Sequence, residues 1–264
     1  MKDTQMQLRD AVIIVTGASA GIGLATTKAL AESGAHVVAV ARRADTLNTI
    51  IAALPGQHSW FAGDLSNPDT MKQVVAHAIT EFGHIDAIVC NAGVGLSAPV
   101  AHLQWHDMIA CMNLNVGGVL SAIQAVMPHF MTQQRGSIVV ISSVVGVQGL
   151  PYSGGYCASK GALERLCDAL RIELIGTPIR LSVVRPGTVA TQFFAQRLGS
   201  NGERRSRTNR GVSPETVAHV ICSTLIHHPR FSYTHWQDRV LLWASALAPR
   251  MADHVLRRMI QWQS

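Results

Sequence analysis

Charge is scarce in this 264-residue chain: Asp, Glu, Lys and Arg make up 14% of it. Aromatic residues are scarcer still at 5%, while hydrophobic residues reach 48%. A chain this apolar can bury a large core, which excludes general disorder. The 10 prolines and 22 glycines are near average use and exclude fibrous and low-complexity classes. No apolar run approaches the roughly 18–20 residues that span a bilayer, so no transmembrane segment is expected. The first ten residues, MKDTQMQLRD, lack the apolar stretch of a secretory signal. The five cysteines (Cys90, Cys111, Cys157, Cys167 and Cys222) are odd in number, scattered and without a CxxC pair. That pattern fits buried thiols in a reducing cytoplasm better than a disulfide frame or a zinc site. The twelve histidines show no HExxH spacing, so no metal is expected.

The net charge of +6 is unevenly placed. Between 197 and 210, Arg197, Arg204, Arg205, Arg207 and Arg210 face Glu203 alone. Between 239 and 264, Arg239, Arg250, Arg257 and Arg258 face only Asp253. The rest of the chain is close to neutral. No nucleic-acid reader motif accompanies these arginines, so nucleic acid is not an expected partner.

What is present is alternation. Near-continuous apolar runs lie at 11–17, 35–41, 58–64, 85–93, 136–143 and 179–187, as expected of parallel strands covered on both faces. Amphipathic helical patterns lie near 21–33, 44–53, 68–82, 103–131 and 156–175. Parallel strands need crossover helices, so the pattern predicts an α/β fold: one doubly wound, Rossmann-like parallel sheet with helices on both faces. A single domain over 1–264 is expected. It divides into a core at 10–191, a substrate lid at 192–213 and a C-terminal helical extension at 236–264. Ligands of such sheets bind at the carboxyl ends of the strands.

After the first strand comes Thr16-Gly17-Ala18-Ser19-Ala20-Gly21-Ile22-Gly23. Glycines there permit a tight turn and close approach to a pyrophosphate, which the helix N-terminus beyond can bind. The other reading is a plain tight turn between strand and helix. The second strand ends at Val40-Ala41-Arg42-Arg43, where an NAD-type site would place an acidic residue. A guanidinium can instead pair with a 2′-phosphate, so NADP(H) is the expected cofactor, with Arg42 as its contact. Arg43 either shares that contact or faces solvent. The third strand ends at Gly63-Asp64-Leu65, where Asp64 either bonds the adenine amino group or caps the turn. The fourth ends at Asn91-Ala92-Gly93, small residues that let a cofactor pass close to the backbone.

Ser142 and Ser143 follow the fifth strand, Tyr156 stands thirteen residues beyond Ser143, and Lys160 four beyond that. Positions i and i+4 share a helix face, so Tyr156 and Lys160 can serve one site. A phenol with a pKa of about 10 is too weak a base at neutral pH. A nearby ammonium favours the phenolate, and the oxidised nicotinamide would add more positive charge. The tuned tyrosine could pass a proton to or from a carbonyl oxygen, with Ser143 hydrogen-bonding the same oxygen.

With TGASAGIG (16–23), NAG (91–93), NVGG (115–118), ISS (141–143), YCASK (156–160) and RPGTVAT (185–191), the chain resembles the short-chain dehydrogenase/reductase family. These elements keep the family's order and spacing from residue 10 to 191. The resemblance implies hydride transfer on a nicotinamide cofactor by a Tyr-Lys-Ser-Asn set. Tyr156 would be proton donor or acceptor. Lys160 would hold the ribose hydroxyls and tune Tyr156. Ser143 would position the carbonyl, and Asn115 would anchor a relay water. The family asparagine stands thirteen residues before the proline that follows its helix, so Pro128 selects Asn115 over Asn113, which is assigned to helix surface or packing. The resemblance also places Pro186, Gly187, Val189 and Thr191 along the nicotinamide, and implies a homo-oligomer, dimer or tetramer. Cys90 departs from the family's frequent second asparagine before Asn91. Cys157 is read as a packed small residue.

On the substrate side, Phe193, Phe194 and Leu198 of the lid could cover an apolar substrate. Val94, Leu96, Val145, Val147, Leu150 and Tyr152 suggest an apolar pocket. A lipophilic or steroid-like ketone or secondary alcohol is the expected small-molecule substrate. Arginines of the 202–210 stretch either attract an anionic acyl thioester, which would make the protein a 3-oxoacyl thioester reductase, or form a solvated loop. A non-catalytic nucleotide-binding scaffold or sensor is the reading from another class, and the complete catalytic set argues against it. Residues 239–262 carry apolar positions at helical spacing with arginines between them, and Pro249 divides them. They either pack over the cleft or a partner subunit, lie on an anionic membrane surface as a peripheral contact, or form an ordinary terminal helix pair.

Overall fold

The structure is a computed structural model that describes residues 5–199 and 211–259. The side chains of Phe194, Arg258 and Met259 fall outside the described set, as do Arg204, Arg205, Arg207 and Arg210.

Seven parallel strands form one sheet: β1 (Val12–Thr16), β2 (His36–Ala41), β3 (Ser59–Ala62), β4 (Ala87–Cys90), β5 (Gly136–Ile141), β6 (Ile179–Arg185) and β7 (Phe231–Tyr233). Their spatial order is β3-β2-β1-β4-β5-β6-β7, with every neighbouring pair parallel. The helices are α1 (Gly21–Glu32), α2 (Ala44–Ala52), α3 (Thr70–Phe82), α4 (Trp105–Met112), α5 (Gly118–Gln133), α6 (Gly154–Glu173), α7 (Pro214–His227), α8 (Trp236–Leu247) and α9 (Pro249–Met259). The doubly wound sheet predicted from alternation is the observed architecture.

Successive strand residues feed opposite faces, which is why the runs read as continuously apolar. Val12, Ile14, Val38 and Val40 join one core with Met71 and Val74 of α3, Val126 and Phe130 of α5 and Leu163 of α6. Ile13, Val15, Val37 and Ala39 join the other with Leu30 of α1, Leu47 of α2 and Val217, Ile221 and Leu225 of α7. The sheet continues beyond residue 191, since β7 extends it past β6 and α7 covers its second face.

The predicted helix over 103–131 is a composite. α4 passes through a π turn at Asn113–Gly117 into α5. Pro128 does not follow this helix but stands inside α5, which runs on to Gln133. By length and composition the run Trp105–Gln133 could cross a membrane, but Val126 and Phe130 are fully buried in the core and Asn115 is bonded into the site. An interior helix of a large sheet needs that apolarity for its own packing.

Sheet order reverses between β1 and β4: the chain goes outward from β1 to β2 and β3, then returns to β4 on the other side. A crevice opens at such a reversal, beyond the strand ends. Thr16 ties its two rims together. Its hydroxyl donates to the Val89 carbonyl at 3.2 Å and accepts from the amides of Asn91 at 2.9 Å and Ala92 at 3.1 Å.

Candidate active site

The glycine turn stands at this crevice. Gly17 and Gly21 adopt positive φ of 68° and 52°, open to glycine at no steric cost. A Cβ at Gly17 would meet Ala92 Cα at 2.9 Å, and one at Gly23 would meet the Gly17 carbonyl oxygen at 2.1 Å. Close packing of turn, helix and β4 therefore demands these glycines. Ser19 and Ile22 are half-buried along the turn and Ala20 is exposed. Ala20 caps α1 without a side-chain hydrogen bond, and no acidic residue lies in the first turn. Such an N-terminus keeps backbone N–H groups and partial positive charge for an anion. These residues fit a dinucleotide's pyrophosphate.

At the outer end of the crevice, Arg42 and Arg43 are exposed just past β2, and Arg43 stands at the N-cap of α2. Asp64 Oδ1 accepts from the backbone N–H of Ser66 at 3.0 Å and from its hydroxyl at 2.7 Å. Asp64 therefore caps its own turn. Those two bonds hold its pKa below the usual carboxylate value, opposed by partial burial and aided by the Arg42 charge. Leu65 is buried, and with Thr16, Ala92 and Leu114 it lines a small cleft there.

Asn91 donates through Nδ2 to the Thr16 carbonyl at 3.0 Å. Asn115 is fully buried in the π turn. Its Oδ1 accepts from the Val94 amide at 2.8 Å, and its Nδ2 donates to the Val94 carbonyl at 2.9 Å and to Ser159 Oγ at 2.9 Å. The side chain is spent on holding the 93–95 turn. Gly93 allows this, because a Cβ there would stand 3.0 Å from Asn115 Oδ1. Asn113 is exposed, as its assignment to the helix surface requires.

Tyr156 and Lys160 lie one turn apart near the start of α6. The Ser143 side chain stands beside the Tyr156 hydroxyl, close enough to act on its charge. Ser143 donates to the Pro186 carbonyl at 3.3 Å and accepts from the Val145 amide at 3.3 Å. Lys160 is 4% exposed. Its Nζ donates to the Ile141 carbonyl at 2.8 Å and lies 5.9 Å from the centre of the Tyr156 ring. A Cβ on Gly93 would be 3.8 Å from that Nζ, so the ammonium reaches the rim of the crevice. Burial lowers the Lys160 pKa to about 8, with Glu164 and neighbouring thiols working against the fall. Burial drives the Tyr156 phenol upward, helped by Cys111 and Cys157 and opposed by Ser143. Burial is thus the largest influence on the phenol, and the expected lowering is not reached by the chain's own groups alone.

The remaining predicted residues close the site. Pro186, Gly187, Val189 and Thr191 form the loop after β6, pinned by Val212 through Ala190 N to Val212 O at 3.0 Å and Val212 N to Thr188 O at 3.1 Å. Thr191 lies over the glycine turn, its Cγ2 3.2 Å from where a Gly21 Cβ would be. The lid root folds down: Leu198 N donates to Gly95 O at 2.8 Å and Ser97 N to Leu198 O at 3.1 Å. Phe193 stacks at a tilt on Tyr156 with ring centres 5.7 Å apart. On the far wall Ala98 N donates to Tyr152 O at 3.0 Å and Leu150 N to Cys157 Sγ at 3.4 Å. Val94 and Val145 are half-buried, Leu96 is buried, and Val147 is exposed.

Three residues outside the predicted set also belong to this neighbourhood. Glu164 and Arg185 form a buried ion pair behind Lys160. Asp238 of α8 rests on the loop after β6, with a Cβ at Gly187 falling 2.8 Å from its Oδ1. An arginine at the end of the apolar run 179–187 and a glutamate four residues past Lys160 were visible signals of the first pair. Asp238 left no such signal. The root of the extension thus packs on the edge of the cleft, and the comparisons below lend no support to membrane contact. Among the described residues no group of three or more metal-ligating side chains occurs.

A family model described as short chain dehydrogenase matches residues 11–201. A 3-oxoacyl-[acyl-carrier-protein] reductase of Thermotoga maritima is 34% identical over 222 residues, covering 82% of this chain and 90% of its own length. A short chain dehydrogenase/reductase of Burkholderia phymatum, solved in complex with NAD, shares the fold at a TM-score of 0.84 and 22% identity, covering 93% of this chain and 96% of its own. An alcohol dehydrogenase of Thermococcus sibiricus, complexed with 5-hydroxy-NADP, aligns at a TM-score of 0.73 and 26% identity over 84% and 94% of the two chains.

Proposed function

The chain belongs to the short-chain dehydrogenase family, and from that premise we propose that this oxidoreductase of CH–OH groups is an NADP(H)-dependent carbonyl reductase, reversible as an alcohol dehydrogenase, acting on a hydrophobic substrate. The observation that carries the chemistry is the convergence of Tyr156, Ser143 and Lys160 at one end of the crevice. The observation that favours the phosphorylated cofactor is Arg42, exposed at the end of β2 where no carboxylate stands.

In this reading the uncapped start of α1 binds the pyrophosphate. Arg42, with Arg43 beside it, meets the 2′-phosphate. Asp64 and Leu65 would border the adenine, Asn91 to Gly93 would line the path of the sugar, and Lys160 would hold the nicotinamide ribose. The residues Pro186, Gly187, Val189 and Thr191 face the nicotinamide. When bound, the cofactor supplies a hydride to the carbonyl carbon in one direction and accepts it in the other. Ser143 holds the carbonyl oxygen by a hydrogen bond and stabilises the charge that develops there. Tyr156 delivers its proton to that oxygen as the negative charge develops there. For the reverse direction the phenol must be acidified. Lys160 and the positive charge of an oxidised nicotinamide act together to do so. Asn115 uses its amide on the chain itself, so a relay water would rest on the main chain of the π turn. Phe193 shields Tyr156 from solvent and, with Val145 and Leu150, forms an apolar wall for a lipophilic ketone.

Purified protein should oxidise NADPH with a ketone from a lipophilic panel. Tyr156→Phe should lose turnover by roughly a thousandfold while still binding NADPH, since acid–base groups contribute about 10²–10⁴. Full activity in that variant rejects the mechanism.

A second reading, reduction of a 3-oxoacyl thioester, is favoured by the Thermotoga relative and by the arginines at 204, 205 and 207 of the lid, which lie outside the described residues. Neutralising those three should raise KM for an acyl thioester and leave a neutral ketone unaffected. Equal effects on both substrates exclude this reading. Five buried thiols, none of them paired, support a reducing compartment.

A further inference from the structure

Beneath the reacting groups lies a polar cluster that the mechanism above does not use. Glu164 follows Lys160 by one turn on α6. Its carboxylate receives Arg185 Nε at 3.0 Å on Oε1 and Arg185 Nη2 at 2.8 Å on Oε2. The two side chains are 1% and 9% exposed. Arg185 ends β6, immediately before Pro186 and Gly187. Its remaining terminal nitrogen, Nη1, donates to the Tyr233 hydroxyl at 2.8 Å, and the guanidinium lies 3.7 Å from the centre of the Phe231 ring. One guanidinium is therefore gripped from α6 on one side and from β7 on the other.

Stability does not account for such a pair. Burying two charges costs several kcal/mol per ion, and apolar residues of similar size often serve as well or better. Placement does account for it. The pair joins the helix that carries Tyr156 and Lys160 to the strand end whose Pro186 carbonyl accepts from Ser143. It also touches the segment after Ser143, since a Cβ on Gly146 would lie 3.2 Å from Glu164 Cγ and 3.1 Å from the Lys160 carbonyl oxygen.

We propose that Glu164 and Arg185 are positioning residues, which set the Tyr156–Lys160 face of α6 against Ser143 and the 186–191 loop so that both hydroxyls meet one carbonyl oxygen. This rests on the reading of Tyr156, Ser143 and Lys160 as the reacting set. The pair also bears on the charge of Lys160. The groups acting on that ammonium are the thiols of Cys111 in α4, Cys90 in β4 and Cys167 in α6, together with the Glu164 carboxylate. Burial raises the pKa of all three thiols and keeps them neutral. Glu164 is the carboxylate among them that holds the ammonium charged.

The test uses the full chain with NADPH and a ketone substrate. Glu164→Gln leaves a buried guanidinium unpaired, so the double variant Glu164→Leu with Arg185→Met is made beside it, removing both charges. Thermal melts report folding and NADPH fluorescence reports cofactor binding. In the folded double variant kcat should fall roughly tenfold to a hundredfold, the scale of a misplacement of about 1 Å, with cofactor affinity within about threefold of the parent. The alkaline limb of its pH–kcat profile should move to lower pH, because Lys160 has lost the carboxylate that held its proton. Arg185→Lys keeps the charge but not the fork. Its kcat should fall with KM nearly unchanged, and this variant decides the matter if the others do not fold. Parental kcat and an unshifted profile in the folded variants overturn the inference. Tyr156→Phe is run alongside. If it keeps full turnover, the underlying mechanism has failed. If it is inactive while the pair variants behave as the parent, the positioning role alone has failed.

Discussion

Lys160 gives up water for one carbonyl, that of Ile141, and the exchange is incomplete. An ammonium that loses its hydration favours the neutral form, and here its pKa falls to about 8. Below that value the side chain is charged and can hold ribose hydroxyls and acidify the phenol. Above it the charge is lost. Turnover should therefore decline as pH rises through about 8, and a pH–kcat profile measured to pH 10 checks this. A plateau to pH 10 would show that the Lys160 charge is not needed. Arg42 is an exposed side chain, so its removal should leave folding intact. Arg42→Ala should raise KM for NADPH by roughly tenfold, and for NADH far less, since a charge-assisted bond contributes about 1.5–3 kcal/mol. Steady-state kinetics with both cofactors decides it, and equal losses would place the 2′-phosphate elsewhere.

Elements set what these residues can reach. The turn between β1 and α1 tolerates no side chain at Gly17, where φ is positive and the Ala92 backbone is 2.9 Å from a Cβ. Gly17→Ala should cost about 1–3 kcal/mol, visible as a lowered Tm, with cofactor binding weakened in step. The segment after Thr191 packs closely on Gly95, where a Cβ would stand 3.1 Å from Phe193 Cε1. Gly95→Val should push Phe193 off Tyr156 and reduce kcat/KM for lipophilic ketones by roughly tenfold, with cofactor affinity unchanged. A substrate panel separates this from general loss of fold. The expected helix over 103–131 is there, and the π turn at Asn113–Gly117 inside it is the detail alternation alone does not show. A periodic apolar pattern registers α4 and α5 as a single run, because one extra residue in a turn shifts the phase without breaking it. Pro128 was likewise no terminator, since packing of Val126 and Phe130 on either side carries α5 past it.

At the scale of the molecule, the extension leaves a surface to be covered. Trp236, Val240, Trp243 and Leu247 recur at helical spacing on α8 and are exposed, Trp236 by 69% and Trp243 by 66%. Met251 and Val255 of α9 are exposed too. Apolar patches of that kind mark interaction sites more often than free surface. Together with the homo-oligomer that the family resemblance implies, this leads to an expected mass in solution of two or four times 28.4 kDa. Light scattering checks it, and a monomer at micromolar concentration would reject it. The parallel sheet, its two covered faces and a site at the strand ends follow from the strand and helix runs, whereas the strand order is a property of the folded sheet. β7 was not legible, because three half-buried residues at a sheet edge make no apolar run.

Local chemistry was therefore determined by the chain alone: where the strands lie, that glycines turn beside an uncapped helix, that Tyr156 and Lys160 share a face, and that Arg42 replaces an acid. These depend on neighbours within about one turn or one strand, and spacing records such neighbours directly. Only the tertiary structure decided that Phe193 covers Tyr156, that Asp238 rests on Gly187, and that Glu164 grips Arg185 across 21 positions of chain. It also decided that burial is the largest influence on both groups, raising the Tyr156 phenol and lowering the Lys160 ammonium. Contacts between distant segments and the loss of water around a group depend on how whole elements pack, and no local pattern carries that information.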